Sequence, residues 1–124
     1  MKKPRILIVE DEWIIALDLK STIESLGYRV ISLLATAKDA VTWVEANEVD
    51  LILLDIKLKG EKSGIDAASE IRRFSAVPIL FITGNSHLLT QAALKITQPN
   101  AMIPKPPAER ELHDKIETLL IKAA

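Results

Sequence analysis

The chain has 124 residues, enough to bury one core and too few for two. Hydrophobic residues make up 48% and charged residues 27%, and the net charge of −1 lacks the basic balance that draws a protein to nucleic acid or an anionic membrane. With no cysteine, disulfides, thiolate metal sites and cysteine nucleophiles are excluded, and no apolar run nears the ~20 residues a membrane helix needs.

The start, Met1-Lys2-Lys3-Pro4-Arg5, is basic but leads into only four apolar residues, too few for a secretory leader, so a cytoplasmic location is expected. Those residues, Ile6-Leu7-Ile8-Val9, are the first predicted strand, and Glu10-Asp11-Glu12 follow it directly. Ile15, Leu19, Ile23 and Leu26 line a first helix that Gly27 is placed to end. Trp13, beside the acids, is expected to pack or to serve as a reporter of them. Val30 to Leu34 read as the second strand. Ala37, Ala40, Val41 and Val44 then recur at helical spacing behind Thr36-x-x-Asp39, a capping-box pattern, with Trp43 expected to pack.

Leu51-Ile52-Leu53-Leu54, the third strand, runs straight into Asp55, and Ile65, Ala68 and Ile71 mark a third helix. Val77 to Ile82 form a fourth strand, followed by Thr83-Gly84-Asn85. Leu89, Ala92, Ala93 and Ile96 repeat the helical spacing, Ala101-Met102-Ile103 give a short fifth strand, and Pro104-Lys105-Pro106 follow. Leu112, Ile116, Leu119 and Leu120 line the last helix. His87 and His113 have no ligand partners at useful spacing and read as surface histidines.

Strands alternating with helices imply an α/β fold, a parallel sheet covered on both sides. With no internal repeat or linker, residues 1–124 read as a single domain. Such sheets carry their ligand site at the carboxyl ends of the strands. Glu10, Asp11, Asp55, Thr83 and Lys105 all fall there. Close carboxylates repel, and a bound cation relieves that repulsion; oxygen-only donors suit Mg²⁺, which is commonly shared with a phosphate. Thr83 and Lys105 add a hydrogen-bond donor and a fixed positive charge, so the set is equipped to form an acyl phosphate on an aspartate. Taken singly, each residue has an ordinary reading: Asp55 as a turn or cap, the acids as charge at a helix N-terminus, Thr83 and Lys105 as solvated loop residues.

The segments "ILIVEDE", "DLILLDIKLKGEKSGID", "VPILFITGN" and "IPKP" occur in an order and at a spacing that resemble the receiver domain of two-component response regulators, over nearly the whole chain. The resemblance implies a doubly wound (βα)5 flavodoxin-like fold with strand order 2-1-3-4-5. It implies Asp55 as phosphoryl acceptor, Asp11 as the acid that binds Mg²⁺ directly, and Glu10 as its partner, often through water. The backbone carbonyl of Lys57 completes the implied metal set, Thr83 is the hydroxyl that meets the phosphoryl group, and Lys105 is the lysine that pairs with it. The Lys105–Pro106 bond is expected to be cis. The implied donor is a phosphohistidine on a sensor histidine kinase or a histidine phosphotransfer protein. The domain would help catalyse its own phosphorylation and dephosphorylation, with no separate substrate. A surface around the fourth helix, fifth strand and fifth helix would switch, meet an output partner of unstated identity, or pair two copies.

Three positions depart from the family pattern. Met102 stands where Tyr or Phe is usual, leaving no ring to couple to the hydroxyl; Pro107 stands where Phe is common; and the loop after Asp55 carries Lys57, Lys59 and Lys62 in place of the common proline. Two rival functions stay open: a receiver-like binding module that works without phosphate, and an Mg²⁺-dependent phosphatase with an aspartyl nucleophile. An FMN carrier of similar fold is disfavoured, because Glu10-Asp11-Glu12 occupies the loop where a phosphate cradle would be needed. Nothing after the fifth helix encodes an effector, so the expectation is a free-standing regulator or one domain of a larger protein.

Overall fold

A computed structural model describes residues 2–84, 86–88 and 90–123. In chain order the elements are β1 (Arg5–Val9), α1 (Trp13–Ser25), β2 (Arg29–Leu34), α2 (Ala37–Ala46), β3 (Leu51–Leu54), α3 (Gly64–Ile71) and β4 (Ile79–Thr83). A 3-10 turn (Ser86–Leu88), α4 (Gln91–Ile96), β5 (Asn100–Pro104) and α5 (Glu109–Ala123) complete the chain. The strands form one parallel sheet in the order β2-β1-β3-β4-β5, with Ile8 level with Leu53 and Leu53 level with Leu80. This is the flavodoxin-like topology expected from the sequence.

The central strands read as unbroken apolar runs because both of their faces are covered. Ile6, Ile8, Leu51 and Leu53 face Leu19 and Ile23 of α1 and Leu112, Ile116 and Leu119 of α5. Leu7, Val9, Ile52 and Leu54 face Ala40 and Val44 of α2 and Ala68 and Ile71 of α3. Full burial of one such side chain is worth about 1.5–3 kcal/mol, so these two layers supply most of the apolar stabilisation.

Several boundaries differ from the sequence reading for identifiable reasons. β4 begins at Ile79, since Pro78 has no amide to give a ladder; its carbonyl accepts from the Ile52 amide at 3.0 Å. At Thr36 only the hydroxyl half of the expected capping box forms, with Oγ1 accepting from the Asp39 amide at 3.1 Å. The reciprocal box closes at Ser63 and Asp66 instead. Gly27, at φ +99°, ends α1 as expected. Trp13 does not pack: it is 62% exposed, whereas Trp43 lies against the second core layer. Asn85 and Leu89 lie outside the described residues. Ile96, expected on the core face of α4, is exposed.

Polar contacts hold the end of α4. Thr97 is fully buried, and its hydroxyl donates to the Ala93 carbonyl at 2.6 Å. Asn100 Nδ2 donates to the Leu94 carbonyl at 2.8 Å and to Thr97 Oγ1 at 2.7 Å. From the end of α3, the Arg72 guanidinium donates to the carbonyls of Ser75, Thr97, Gln98 and Pro99 at 2.6–3.1 Å. On the other side of the sheet, the buried Tyr28 hydroxyl donates to Glu117 of α5. Among the described residues, no helix is long and apolar enough to cross a membrane.

Candidate functional site: a carboxylate–lysine rim

Adjacency of β1 and β3 fixes the acids. The Asp55 amide donates to the Val9 carbonyl at 3.0 Å and the Glu10 amide to the Leu34 carbonyl at 2.9 Å, so both residues stand at the carboxyl edge of the sheet. One carboxylate oxygen from each of Glu10, Asp11 and Asp55 can be chosen so that all three lie within 4.8 Å of one another. Glu10 and Asp55 are buried, at 3% and 7% exposure, while Asp11 faces solvent in part.

Lys105 reaches this cluster from the end of β5, across β4. Its amide donates to the Thr83 carbonyl at 3.0 Å, its ammonium donates to Asp55 Oδ2 at 2.7 Å, and the same ammonium pairs with Glu10 Oε1. The Lys105–Pro106 bond is cis. Thr83, at the last position of β4, is fully buried. The Lys57 amide donates to Asp55 Oδ1 at 3.3 Å, which ties the loop to the Asp55 carboxylate, while the Lys57 side chain is exposed. The Glu12 amide donates to Glu10 Oε2 at 3.2 Å.

These contacts set the charge balance. Burial pushes the Glu10 carboxyl above the usual carboxylate range, and the Lys105 hydrogen bond and the Glu12 amide only partly offset it. Burial alone would lower the Lys105 ammonium, but the hydrogen bonds to Asp55 and Glu10 outweigh it and hold it above an ordinary lysine. When all are ionised, three carboxylates face one ammonium, leaving the charge that a divalent cation would neutralise. The donors are all hard oxygens, with no imidazole or thiolate among them, and that set suits Mg²⁺ with water in its remaining positions.

An open cleft of about 480 Å³ lies over the rim, lined by Asp11, Asp55, Lys57, Lys59, Gly84 and Lys105 among others. The sequence-selected residues Glu10, Asp11, Asp55, Thr83, Lys105 and Lys57 are therefore gathered at one edge of the sheet. Met102 lies away from the rim, level with Phe81 and packed against the second core layer. Two features escaped the sequence reading. One is the Lys105–Glu10 pair, 95 residues apart and without a local signal. The other is Gly64, whose amide donates to the Ile56 carbonyl at 2.7 Å beside Asp55; the Ser63-Gly64 pair before the third helical pattern was its only trace.

Comparison with known proteins agrees with this architecture. The family profile described as "Response regulator receiver domain" matches residues 6–117. The transcriptional regulatory protein YvrH of Bacillus subtilis is 44% identical over 86 residues, 69% of this chain and 36% of that protein. The chain spans no more than half the length of the curated relatives it matches. The signal receiver domain of a modulated diguanylate cyclase from Desulfovibrio desulfuricans superposes with a TM-score of 0.88 at 33% identity, over 98% of this chain and 96% of that one. The receiver domain of the sensor histidine kinase PA1611 from Pseudomonas aeruginosa, solved with a magnesium ion in its active-site cleft, gives 0.82 at 30% identity, over 96% of this chain and 98% of that one.

Proposed function

This chain belongs to the response regulator receiver domain family, and from that premise we propose that it is a switch worked by phosphorylation of Asp55. One observation carries the reading: a buried aspartate at a strand end is held by Lys105 and shares a pocket edge with two further acids. Relatives of this family are named as regulators rather than metabolic enzymes, which fits a domain that modifies itself.

Glu10, Asp11, Asp55 and the Lys57 carbonyl would hold Mg²⁺, which when bound supplies positive charge against the transferring phosphoryl oxygens. An Asp55 oxygen attacks phosphorus, the donor's phosphorus–nitrogen bond breaks with its electron pair going to nitrogen, and the donor ring, already protonated on its other nitrogen, leaves as neutral imidazole. Lys105 already touches Asp55 and stands where the new charge develops, while the Thr83 hydroxyl is the second donor. Because the carboxylate is fixed by Lys105 and the Lys57 amide beforehand, little orientation is left to be lost on reaction.

The donor is read as a phosphohistidine protein, a sensor histidine kinase or a phosphotransfer protein. Trp13, Ile14 and Leu17 of α1 are 62%, 82% and 44% exposed just beyond the acids, an apolar patch at which such a donor can settle. The phosphoryl group would bias α4, β5 and α5 between two arrangements and so expose a surface to an output protein or a second copy. The reading places residues 1–124 as one receiver unit, in the cytoplasm with its donor. Acetyl phosphate with Mg²⁺ tests it: intact-mass spectrometry should show one added phosphoryl group, and no gain when chelator is present from the start. No mass gain with Mg²⁺ would favour a binding module that works without phosphate, and steady turnover of added phosphomonoesters would favour a phosphatase.

A further inference from the structure

Resting on that reading, we infer that Gly64 is a positioning residue for the acceptor: the bare Cα of the first residue of α3 is the surface against which the Asp55–Ile56 peptide is set. A Cβ built on Gly64 would lie 1.9 Å from the Asp55 carbonyl oxygen, 2.8 Å from its carbon and 3.0 Å from the Ile56 Cα. Contacts under 3.0 Å require something to move, and here the neighbour is backbone, which cannot rotate aside as a side chain would.

What moves is decided by what is pinned. α3 is held by its fully buried residues Ala67, Ala68 and Ile71 and by the Ser63–Asp66 box at its start. β3 is held by Leu51 to Leu54, all but fully buried, and by the Asp55 amide on the Val9 carbonyl. The segment from Lys57 to Lys62 is largely exposed and turns at Gly60, at φ +99°. Ile56 is itself buried at 1% exposure in the second core layer, so the strain is taken up at the Asp55–Ile56 peptide and its flanks, Asp55 and Lys57, which carry the acceptor carboxylate and the carbonyl assigned to the metal. A shift of about 1 Å in a reacting group costs on the order of a hundredfold in rate, and metal ligands tolerate only tenths of an ångström.

Gly60 is an internal control. It lies in the same loop and needs its positive φ, but a Cβ there meets nothing within 4 Å. Gly60→Ala strains the loop without pressing on Asp55, whereas Gly64→Ala presses on Asp55 directly.

The experiment compares both variants with the wild type by urea unfolding, Mg²⁺ titration calorimetry, phosphorylation by acetyl phosphate, and ¹H–¹⁵N spectra of the metal-free protein. Gly64→Ala should bind Mg²⁺ about tenfold more weakly and phosphorylate about a hundredfold more slowly, with its largest amide shifts at Asp55–Lys57. Gly60→Ala should lose stability while both site readings stay within twofold of wild type. The inference is overturned if Gly64→Ala matches wild type at the site, if Gly60→Ala loses as much, or if the amide shifts fall on α3 while Asp55–Lys57 stay put. A wild type that takes no phosphoryl group sinks the proposed function instead, and the metal-free spectra still decide the role of Gly64. Should Gly64→Ala not fold, Ser63→Ala replaces it; loosening the start of α3 should shift the Asp55–Lys57 amides and weaken Mg²⁺ binding about threefold, and no change in either would overturn the inference.

Discussion

Replacing Lys105 with methionine keeps an unbranched stem one atom shorter and removes the ammonium shared by Glu10 and Asp55. Those carboxylates are nearly closed off from water, with side-chain exposures of 1% and 8%, while the Lys105 side chain is 20% exposed. Removing one partner of a buried pair costs about 3–5 kcal/mol, because the remaining charge is left without compensation. The partial exposure of Lys105 argues for the lower end, about 3 kcal/mol, or about 12 °C in Tm at roughly 4 °C per kcal/mol for a domain of this size. Urea unfolding in chelator at neutral pH measures the deficit. Mg²⁺ should then restore more stability to the variant than to the wild type, since a site with no resident ammonium gains more from a cation; saturation at about 100 times Kd is worth about 2.7 kcal/mol. The pH dependence has a definite sign. Burial holds the folded Glu10 carboxyl above its unfolded value, and the variant lacks the Lys105 contact that offsets this. Proton uptake thus favours the folded variant, and its deficit should shrink as pH falls from neutral into the carboxylate range. A deficit below about 1 kcal/mol in chelator, or one that widens on acidification, would refute the pairing as the main tie of this site.

Other outcomes follow from the same geometry. Asp55→Asn should fold and show no phosphoryl mass gain after acetyl phosphate treatment; a full gain would remove Asp55 from its role. The exposed Lys57 should tune the acyl phosphate lifetime by no more than about tenfold, as befits a charge worth at most about 1 kcal/mol, so Lys57→Ala should alter the decay rate. Met102→Ala, packed away from the rim, should leave the decay rate unchanged, and the reverse pattern would contradict both assignments. Arg5 donates to Asp50 and, although burial opposes it, holds that carboxyl below its usual value. The associated stability is present above the unfolded pKa and lost as pH falls through the folded one, so Asp50→Asn should flatten the acid limb of the stability curve, by under about 1 kcal/mol because the pair is partly exposed.

The central strands and the rim were legible because both write themselves locally. A strand covered on two sides must be apolar throughout, and a polar residue directly after it must stand at the sheet edge, so Val9, Leu54 and Ile82 gave away Glu10, Asp55 and Thr83. Ile96 misled because helical spacing assumes that the core holds the helix; here Thr97, Asn100 and Arg72 tie down the end of α4 with polar groups, and Ile96 is left outside. Trp13 misled because its size suggests packing, whereas it begins α1 on the outer face of the helix. The full capping box formed at Ser63 rather than at Thr36. Both start with a hydroxyl three residues before an aspartate, and the sequence pattern does not separate them.

Arg72 has a consequence for how the molecule meets changes in its surroundings. Among the described residues its hydrogen bonds all go to carbonyls and none to a carboxylate, and burial brings its guanidinium down only to about 10, so it stays charged throughout the physiological range. The corner joining α3, α4 and β5 is thus bound by fixed dipoles that neither acid nor metal can discharge. The opposite end of the sheet is bound by the ionisable side chains of Glu10, Asp55 and Lys105. The Arg72 corner keeps its part of the frame constant while the rim is free to answer chemistry, so acidification should disarm the rim before it loosens that corner.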